Sequence, residues 1–281
     1  MSVINTNVNS LVAQNAVNIN ARNLSNAMEQ LSTGKRINGA KDDAAGLSIA
    51  QVMTSQIRGL NQAIRNANDG ISLLQTADGA MIEQSNMLQR MRELAVQSAS
   101  DTVTTTQKGF LNNEFIALKA EIDRIGSQTS WNDRKLLDGS GGLAGGSGIY
   151  KFQVGSSSTT ISVNVPDART TATTGAYKDI TTATISDAAT ADTAIGLVDL
   201  ALTSANDARS QIGAAINQLT YAADNMSNIA MNTAASRSRI EDTDYAQAST
   251  ELARTQIIQQ AATAMLAQAN QSPQSVLALL K

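Results

Sequence analysis

Near the start of the chain, apolar and small positions recur three or four residues apart. Val8, Val12, Ala16, Ile19, Asn23, Ala27 and Leu31 fall on one stripe, the face of a helix running from Asn5 to Leu31. Ser32-Thr33-Gly34-Lys35-Arg36 follows, with a glycine as stop signal. Lys41-Asp42-Asp43-Ala44-Ala45-Gly46 begins the next helix, its acids placed where the helix dipole favours them. Beyond it Ile57, Ile64 and Ile71 are spaced by seven, and so are Leu60, Ala67, Leu74, Met81, Leu88 and Ala95. The two rows are the a and d positions of a coiled-coil seam. The first row turns polar at Asp78, Ser85 and Arg92, which predicts that the seam gives way to another surface there. A helix from Asp43 to Ala99 is about 85 Å long at 1.5 Å per residue, a length that suits a rod.

Asp101 to Thr106 supplies a turn. Leu111, Phe115, Leu118, Ile122 and Ile125 then mark a further helix at four-three spacing. The pattern changes at Trp131. Asp138 to Gly148 is rich in Gly and Ser, a loop signature. Tyr150, Phe152 and Val154 alternate with polar residues, as do Ile161, Val163 and Val165, and Gly155-Ser156-Ser157-Ser158 lies between. That is a β-hairpin pattern. Asp167 to Thr190, Thr/Ala-rich and weakly patterned, is expected to be an exposed loop. Heptads resume near Ala191: Val198, Ala205, Ile212, Leu219 and Met226, flanked by Ile195, Leu202, Ile216 and Ala223. In the last segment, Tyr245 to Asn270, a stripe of Ala248, Leu252, Ile258, Ala262, Met265 and Ala269 is expected to end at Pro273. Both chain ends are therefore amphipathic, where termini are ordinarily polar and frayed. Such ends expose an apolar stripe on a single copy. They are expected to pair with each other and then with other copies, and contacts that do not close on themselves build an open helical polymer.

Composition narrows the chemistry. The chain has 281 residues, 3% aromatic and 42% hydrophobic, with two prolines, so its apolar surface is small and aliphatic. Net charge is −3 without blocks of either sign, which argues against nucleic acid as a partner. No apolar stretch reaches membrane-spanning length, and the first seven residues lack the regions of a cleaved signal peptide. Cys and His are both absent. Disulfides, thiolate sites and the usual zinc ligands are thereby excluded, and the commonest general acid–base residue is missing. Asp42-Asp43 and the Glu241, Asp242, Asp244 cluster lack the ligand number of a calcium loop and fit helix starts better. No cofactor and no enzymatic activity are expected.

The motifs at the two ends resemble the bacterial flagellin family. Asn5-Thr6-Asn7, Leu31-Ser32-Thr33-Gly34-Lys35-Arg36-Ile37, Asp42-Asp43-Ala44-Ala45-Gly46-Leu47, Asn66-Ala67-Asn68-Asp69-Gly70-Ile71 and Leu88-Gln89-Arg90-Met91-Arg92-Glu93-Leu94-Ala95 carry the N-terminal likeness. Ser238-Arg239-Ile240-Glu241-Asp242-Thr243-Asp244-Tyr245, Leu266-Ala267-Gln268-Ala269-Asn270-Gln271 and Val276-Leu277-Ala278-Leu279-Leu280 carry the C-terminal one. The resemblance implies a mainly α fold: a long antiparallel helical coiled-coil or bundle rod with a small β-hairpin region. By this reading residues 1–40 are an N-terminal filament-core helix and 41–145 the N-terminal rod helices. Residues 146–190 are the hairpin and a short exposed variable region, 191–240 the C-terminal rod helix, and 241–281 the C-terminal filament-core helix.

The implied function is a structural subunit that polymerises with itself into the extracellular flagellar filament for motility, exported through the type III apparatus without a cleaved signal. Val8, Val12, Ile19, Leu31, Leu252, Ile258, Met265 and Leu266 are the expected polymerisation core. An export chaperone at the C-terminal segment and the filament cap and hook-junction proteins are implied partners. So is the host flagellin-sensing Toll-like receptor, at Arg90, Leu94 and Glu114. A secreted adhesin or a filament-junction protein is the competing reading, and a flagellin with an enzymatic insert is a third. The dense motif match favours the main subunit, and the short centre leaves no room for a large insert.

Overall fold

A computed structural model describes residues 6–141, 148–155, 157–172 and 175–278, with side chains through residue 271. The elements run α1 (Val8–Thr33), α2 (Ala44–Ala99), α3 (Thr105–Gln128), β1 (Ser130–Trp131), β2 (Arg134–Lys135), β3 (Ile149–Gln153), β4 (Thr160–Asn164), α4 (Ala188–Glu241) and α5 (Tyr245–Ala278), with a 3-10 turn at Lys178–Ile180. Two compact units emerge, one from Gln56–Ala230 and one joining Met1–Ser55 to Met231–Lys281.

In the 56–230 unit the core follows a heptad logic, but one row differs from expectation. Leu60, Ala67, Leu74, Met81, Leu88 and Ala95 of α2 are buried, as predicted. The second buried row is Ala63, Gly70, Ala77, Gln84, Met91 and Ser98, while Ile64 and Ile71 are only partly covered. Small side chains in this row let neighbours approach closely. At Gly70 an added Cβ would stand 2.8 Å from the Phe152 ring of β3. The seam does not give way where polar residues begin. Asp78 and Arg92 lie on its flank and pair across to α4, Arg209 Nε to Asp78 at 2.8 Å and Arg92 Nε to Asp199 at 2.6 Å. The inverse pairing, residue 78 with 209 and 92 with 199, makes α2 and α4 antiparallel. On α4, Val198, Ala205, Ile212, Leu219 and Met226 are buried with a second row of Ala194, Ala201, Ala208 and Ala215. Ile195, Leu202, Ile216 and Ala223 pack beside them.

Thr104 caps α3 through a reciprocal capping box with Gln107, and Phe115 and Ile122 bury its inner face. The expected hairpin forms, β3 against β4 with Tyr150 opposite Val163, and the Tyr150 hydroxyl donates to the Lys135 carbonyl at 2.9 Å. A second hairpin, β1 with β2, was not expected. Its two-residue turn is Asn132-Asp133, both at positive φ, and that dipeptide was the available signal.

Asp167 to Thr190 is not an exposed loop. Ala168, Thr170, Ala176, Tyr177, Ile180, Ala183 and Ile185 are all buried. The segment is a strap held to the helices by its own backbone. Gln84 Nε2 of α2 donates to Ala168 O, and Ser98 Oγ to Ile185 O at 2.7 Å. From α3, Lys119 Nζ donates to Thr181 O at 3.0 Å, and Asn112 Oδ1 accepts the Ile185 N–H at 3.0 Å. Helix side chains satisfy groups that β pairing would otherwise take, so the strap needs no regular pattern. Burial lowers the Lys119 pKa. The strap ends at Asp187, whose carboxylate accepts the Thr190 N–H at 2.9 Å and caps α4.

Candidate assembly surface

In the second unit the two terminal signatures meet. Gly34 ends α1 in the left-handed region, φ 70°, and its N–H returns to Gln30 O. A side chain there would be strained and would press on the Tyr245 hydroxyl, 3.1 Å from an ideal Cβ. The Arg36 N–H donates to Glu241 O at 2.7 Å and the Thr243 N–H to Gly34 O at 3.0 Å. Lys35 Nζ meets the Glu241 carboxylate at 2.5 Å. Asp43 accepts the Gly46 N–H at 2.8 Å and Asp244 the Ala246 N–H at 2.9 Å. The acid clusters thus serve as helix starts. Among the described residues no three acidic side chains converge as metal ligands would.

From this junction α1 and α5 run antiparallel. Asn20 Nδ2 donates to Thr255 O at 2.8 Å and Gln259 Oε1 at 2.9 Å. Farther along, Asn7 Nδ2 donates to Ala269 O and Ser10 Oγ to Asn270 Oδ1, each at 2.7 Å. The covered positions of α1 are Ser10, Ala13, Val17, Asn20, Leu24, Ala27 and Leu31, a three-four alternation. Those of α5 are Ala248, Leu252, Thr255, Gln259, Ala262, Leu266 and Ala269. The inner seam is therefore a mix of leucine, valine, alanine and polar residues. Backbone helix continues through Pro273 to Ala278, so the expected interruption is absent; a proline deletes one intrahelical hydrogen bond, a loss a helix can absorb as a kink.

Further large apolar side chains lie outside that seam. Val8, Leu11, Val12, Ile19 and Met28 of α1 are exposed, as are Ile257, Ile258 and Met265 of α5, with Val12 and Met265 each 64% accessible. Of the eight expected core residues, Val8, Val12, Ile19, Ile258 and Met265 are on this outer surface, while Leu31, Leu252 and Leu266 are half-buried in the seam. Fully burying such a side chain is worth about 1.5–3 kcal/mol. Two helices carrying this many uncovered apolar side chains gain most from further copies.

The other expected site lies on the 56–230 unit. Arg90 reaches Glu93 at 3.0 Å and Glu114 at 2.9 Å, and hydrogen bonds first from Glu93, then Glu114, raise its pKa. Arg90 and Glu114 are half-exposed neighbours on α2 and α3. Leu94 is not beside them on the surface. It is fully buried, three residues beyond Met91 on the core side of α2. No described helix is long and apolar enough to cross a membrane.

Paired terminal helices that close one seam between them and leave further apolar side chains exposed define a helical subunit suited to self-assembly. Residues 4–141 match the bacterial flagellin N-terminal helical region and residues 195–280 the bacterial flagellin C-terminal helical region. A flagellin of Halalkalibacterium halodurans is 44% identical over 282 residues, covering 99% of this chain and 100% of that one. Flagellin A of Vibrio cholerae is 34% identical over 381 aligned residues, covering 99% of each. The crystal structure of Bacillus cereus flagellin superposes with a TM-score of 0.50 at 32% identity, covering 58% of this chain and 88% of that one. The chain belongs to the bacterial flagellin family. It is a structural subunit of the flagellar filament and polymerises with copies of itself.

Proposed function

We propose that α1 and α5 form the inner wall of the polymer and that their outer faces, centred on Val8, Val12, Ile19, Ile258 and Met265, are the contacts between subunits. The observation that carries this reading is that each terminal helix, with one face already closed in the seam, still exposes large apolar side chains. The polymer stands outside the cell, and the chain reaches it unfolded, through the flagellar export channel. Before export the apolar face of α5 is held by a chaperone. The filament cap and the hook-junction proteins engage the same terminal helices at the two ends of the polymer. No catalysis accompanies these steps.

The test compares electron micrographs of the full-length chain, a form lacking both terminal helices, and a Leu252→Asp/Ile258→Asp variant under polymerising conditions with seeds. Long filaments from the first alone are expected. Ordinary filaments from the Asp variant would remove α5 from the core.

The Arg90–Glu114 patch, with Leu94 buried nearby on α2, is the proposed contact for the host flagellin-sensing Toll-like receptor. Two half-exposed, oppositely charged groups held by α2 and α3 offer a preformed polar surface, and the family resemblance supplies the partner. Unchanged signalling by Arg90→Ala and Glu114→Ala proteins in a receptor reporter assay would place recognition elsewhere.

A further inference from the structure

Asparagine followed by glycine occurs once in the chain, at Asn38-Gly39. The pair lies between α1 and α2, outside any helix. An Asn-Gly bond can react with itself. The glycine nitrogen gives up its proton to solvent and attacks the asparagine Cγ. The Cγ–Nδ2 bond then breaks, and the nitrogen takes up a proton from water and leaves as ammonia. Water opens the resulting cyclic imide at either carbonyl. One opening leaves aspartate, and the other leaves isoaspartate, with the chain rerouted through Cγ. Glycine favours the attack because no side chain shields its nitrogen. The fold itself does not require glycine here. Gly39 is not at positive φ, and an added Cβ would meet only Lys41 Cγ, at 3.9 Å.

We infer that Asn38-Gly39 is a site of intramolecular deamidation, held shut by Asp42 in the folded chain and opened when the chain unfolds. Asp42 Oδ2 accepts the Asn38 N–H at 3.1 Å and the Gly39 N–H at 3.0 Å. The Asp42 N–H donates back to Gly39 O at 3.1 Å. The Asn38 amide is tied the other way, Nδ2 donating to Lys35 O at 3.0 Å. The attacking nitrogen and the amide under attack are thus each engaged elsewhere. Charge decides the sign of the Asp42 effect. A carboxylate is far too weak a base to take a backbone amide proton outright. The negative charge that must form on the Gly39 nitrogen would face that carboxylate at hydrogen-bond distance, where a like charge disfavours ionisation. Asp42 therefore slows the reaction. In an unfolded chain neither restraint exists. Either product carries a carboxylate at position 38, which has no N–H to give the Lys35 carbonyl and sets a second negative charge beside Asp42. Isoaspartate also lengthens the backbone between Ile37 and Asp42. Lys35 and Arg36 are the residues that meet Glu241, so the change falls next to the contact that joins the two terminal signatures. A chain that waits unfolded is marked there, and one that folds promptly is not.

The test incubates the full chain, folded and unfolded in urea, in the same mildly alkaline buffer. Trypsin cuts after Arg36 and Lys41, so the bond is carried in the peptide Ile37–Lys41. Mass spectrometry after chromatography then counts its amide, aspartate and isoaspartate forms. Deamidation at Asn38 is expected to be about tenfold slower in the folded chain than in urea, as fits two hydrogen bonds to a charged group. Folded Asp42→Ala should approach the urea rate. Asp43→Ala removes the neighbouring carboxylate, which bonds the Gly46 N–H instead, and should stay as slow as the parental chain. Gly39→Ala should be slow in both states. Circular dichroism reads whether each variant stays helical. If Asp42→Ala does not, Asp42→Asn takes its place; it keeps an acceptor without the charge and should still react faster than the parental chain. Equal rates in the folded and unfolded parental chain overturn the inference. So does a folded Asp42 variant as slow as the parental chain, Asp43→Ala as fast as the Asp42 variant, or fast deamidation of Gly39→Ala in urea.

Discussion

Gly126→Ala sets two effects against each other. Gly126 lies in the last turns of α3, where replacing glycine by alanine favours the helix by about 1 kcal/mol. An ideal Cβ there stands 2.8 Å from Ala168 O, 3.1 Å from Ala168 C and 2.9 Å from Arg169 Cγ. Arg169 cannot swing aside freely, because its Nη2 donates to Asp138 O at 2.8 Å and to Asp167 Oδ2 at 2.7 Å. Ala168 is held more firmly. Its N–H donates to Leu137 O at 2.8 Å, and its carbonyl accepts from Gln84 Nε2 at 3.0 Å. Overpacking of this kind costs about 1–3 kcal/mol, and straining the buried Gln84 bond adds about 1 kcal/mol. The clash wins, for a net loss of about 2 kcal/mol after the helix gain of about 1 kcal/mol. Urea unfolding of the unassembled chain, followed by circular dichroism at 222 nm, measures it. Gly79→Ala is the control, since nothing lies within 4 Å of a Cβ there, and it should stabilise by about 1 kcal/mol. If Gly126→Ala matches Gly79→Ala in raising the midpoint, the strap is not pressed against α3 as described.

Other perturbations probe other levels of the same structure. Leu88→Ala empties a fully buried position on the α2 seam and should cost about 2–5 kcal/mol by the same unfolding measurement. Asp187 has its pKa lowered, first by the Thr190 backbone hydrogen bond. Its stabilising effect is complete above the ordinary carboxylate pKa and is lost as pH falls through the lowered folded value. The midpoint should therefore fall more steeply below about pH 4 in the natural chain than in Asp187→Ala. Arg90→Ala and Glu114→Ala should leave the unfolding midpoint nearly unchanged, as exposed ion pairs do, while lowering receptor signalling.

How much of this was legible depended on what periodicity measures. The α2 row from Leu60 to Ala95 and the α4 row from Val198 to Met226 were found, because leucine, methionine and valine at sevens stand out. Their partner rows were misassigned to isoleucines, because Ala63, Gly70, Ala77 and Ala201 carry little hydrophobic signal although they are the positions of closest approach. The strap from Asp167 to Ile185 was misread for a different reason. It is satisfied by Gln84, Ser98, Asn112 and Lys119, residues from 62 to 87 positions away, and no local pattern records that. The β1–β2 hairpin was missed although Asn132-Asp133 announces its turn, because two-residue strands leave no alternation to detect.

The terminal helices split the expected stripe between two surfaces. Periodicity grouped Val8, Val12, Ala16, Ile19, Asn23, Ala27 and Leu31 into one stripe, expected to pair within the chain and then with other copies; Ala27 and Leu31 lie in the seam, while Val8, Val12 and Ile19 are exposed. For a protein that ends at its own surface one apolar stripe is enough, since the most apolar face is the one buried. A polymer subunit has a second demand. Folding within the chain closes the seam of Ala13, Val17, Asn20 and Leu24, and under the proposed assembly Val8, Val12 and Ile19 are left for other copies. Sequence alone shows that two stripes exist on α1, but it cannot rank them by partner, because the second partner is another chain.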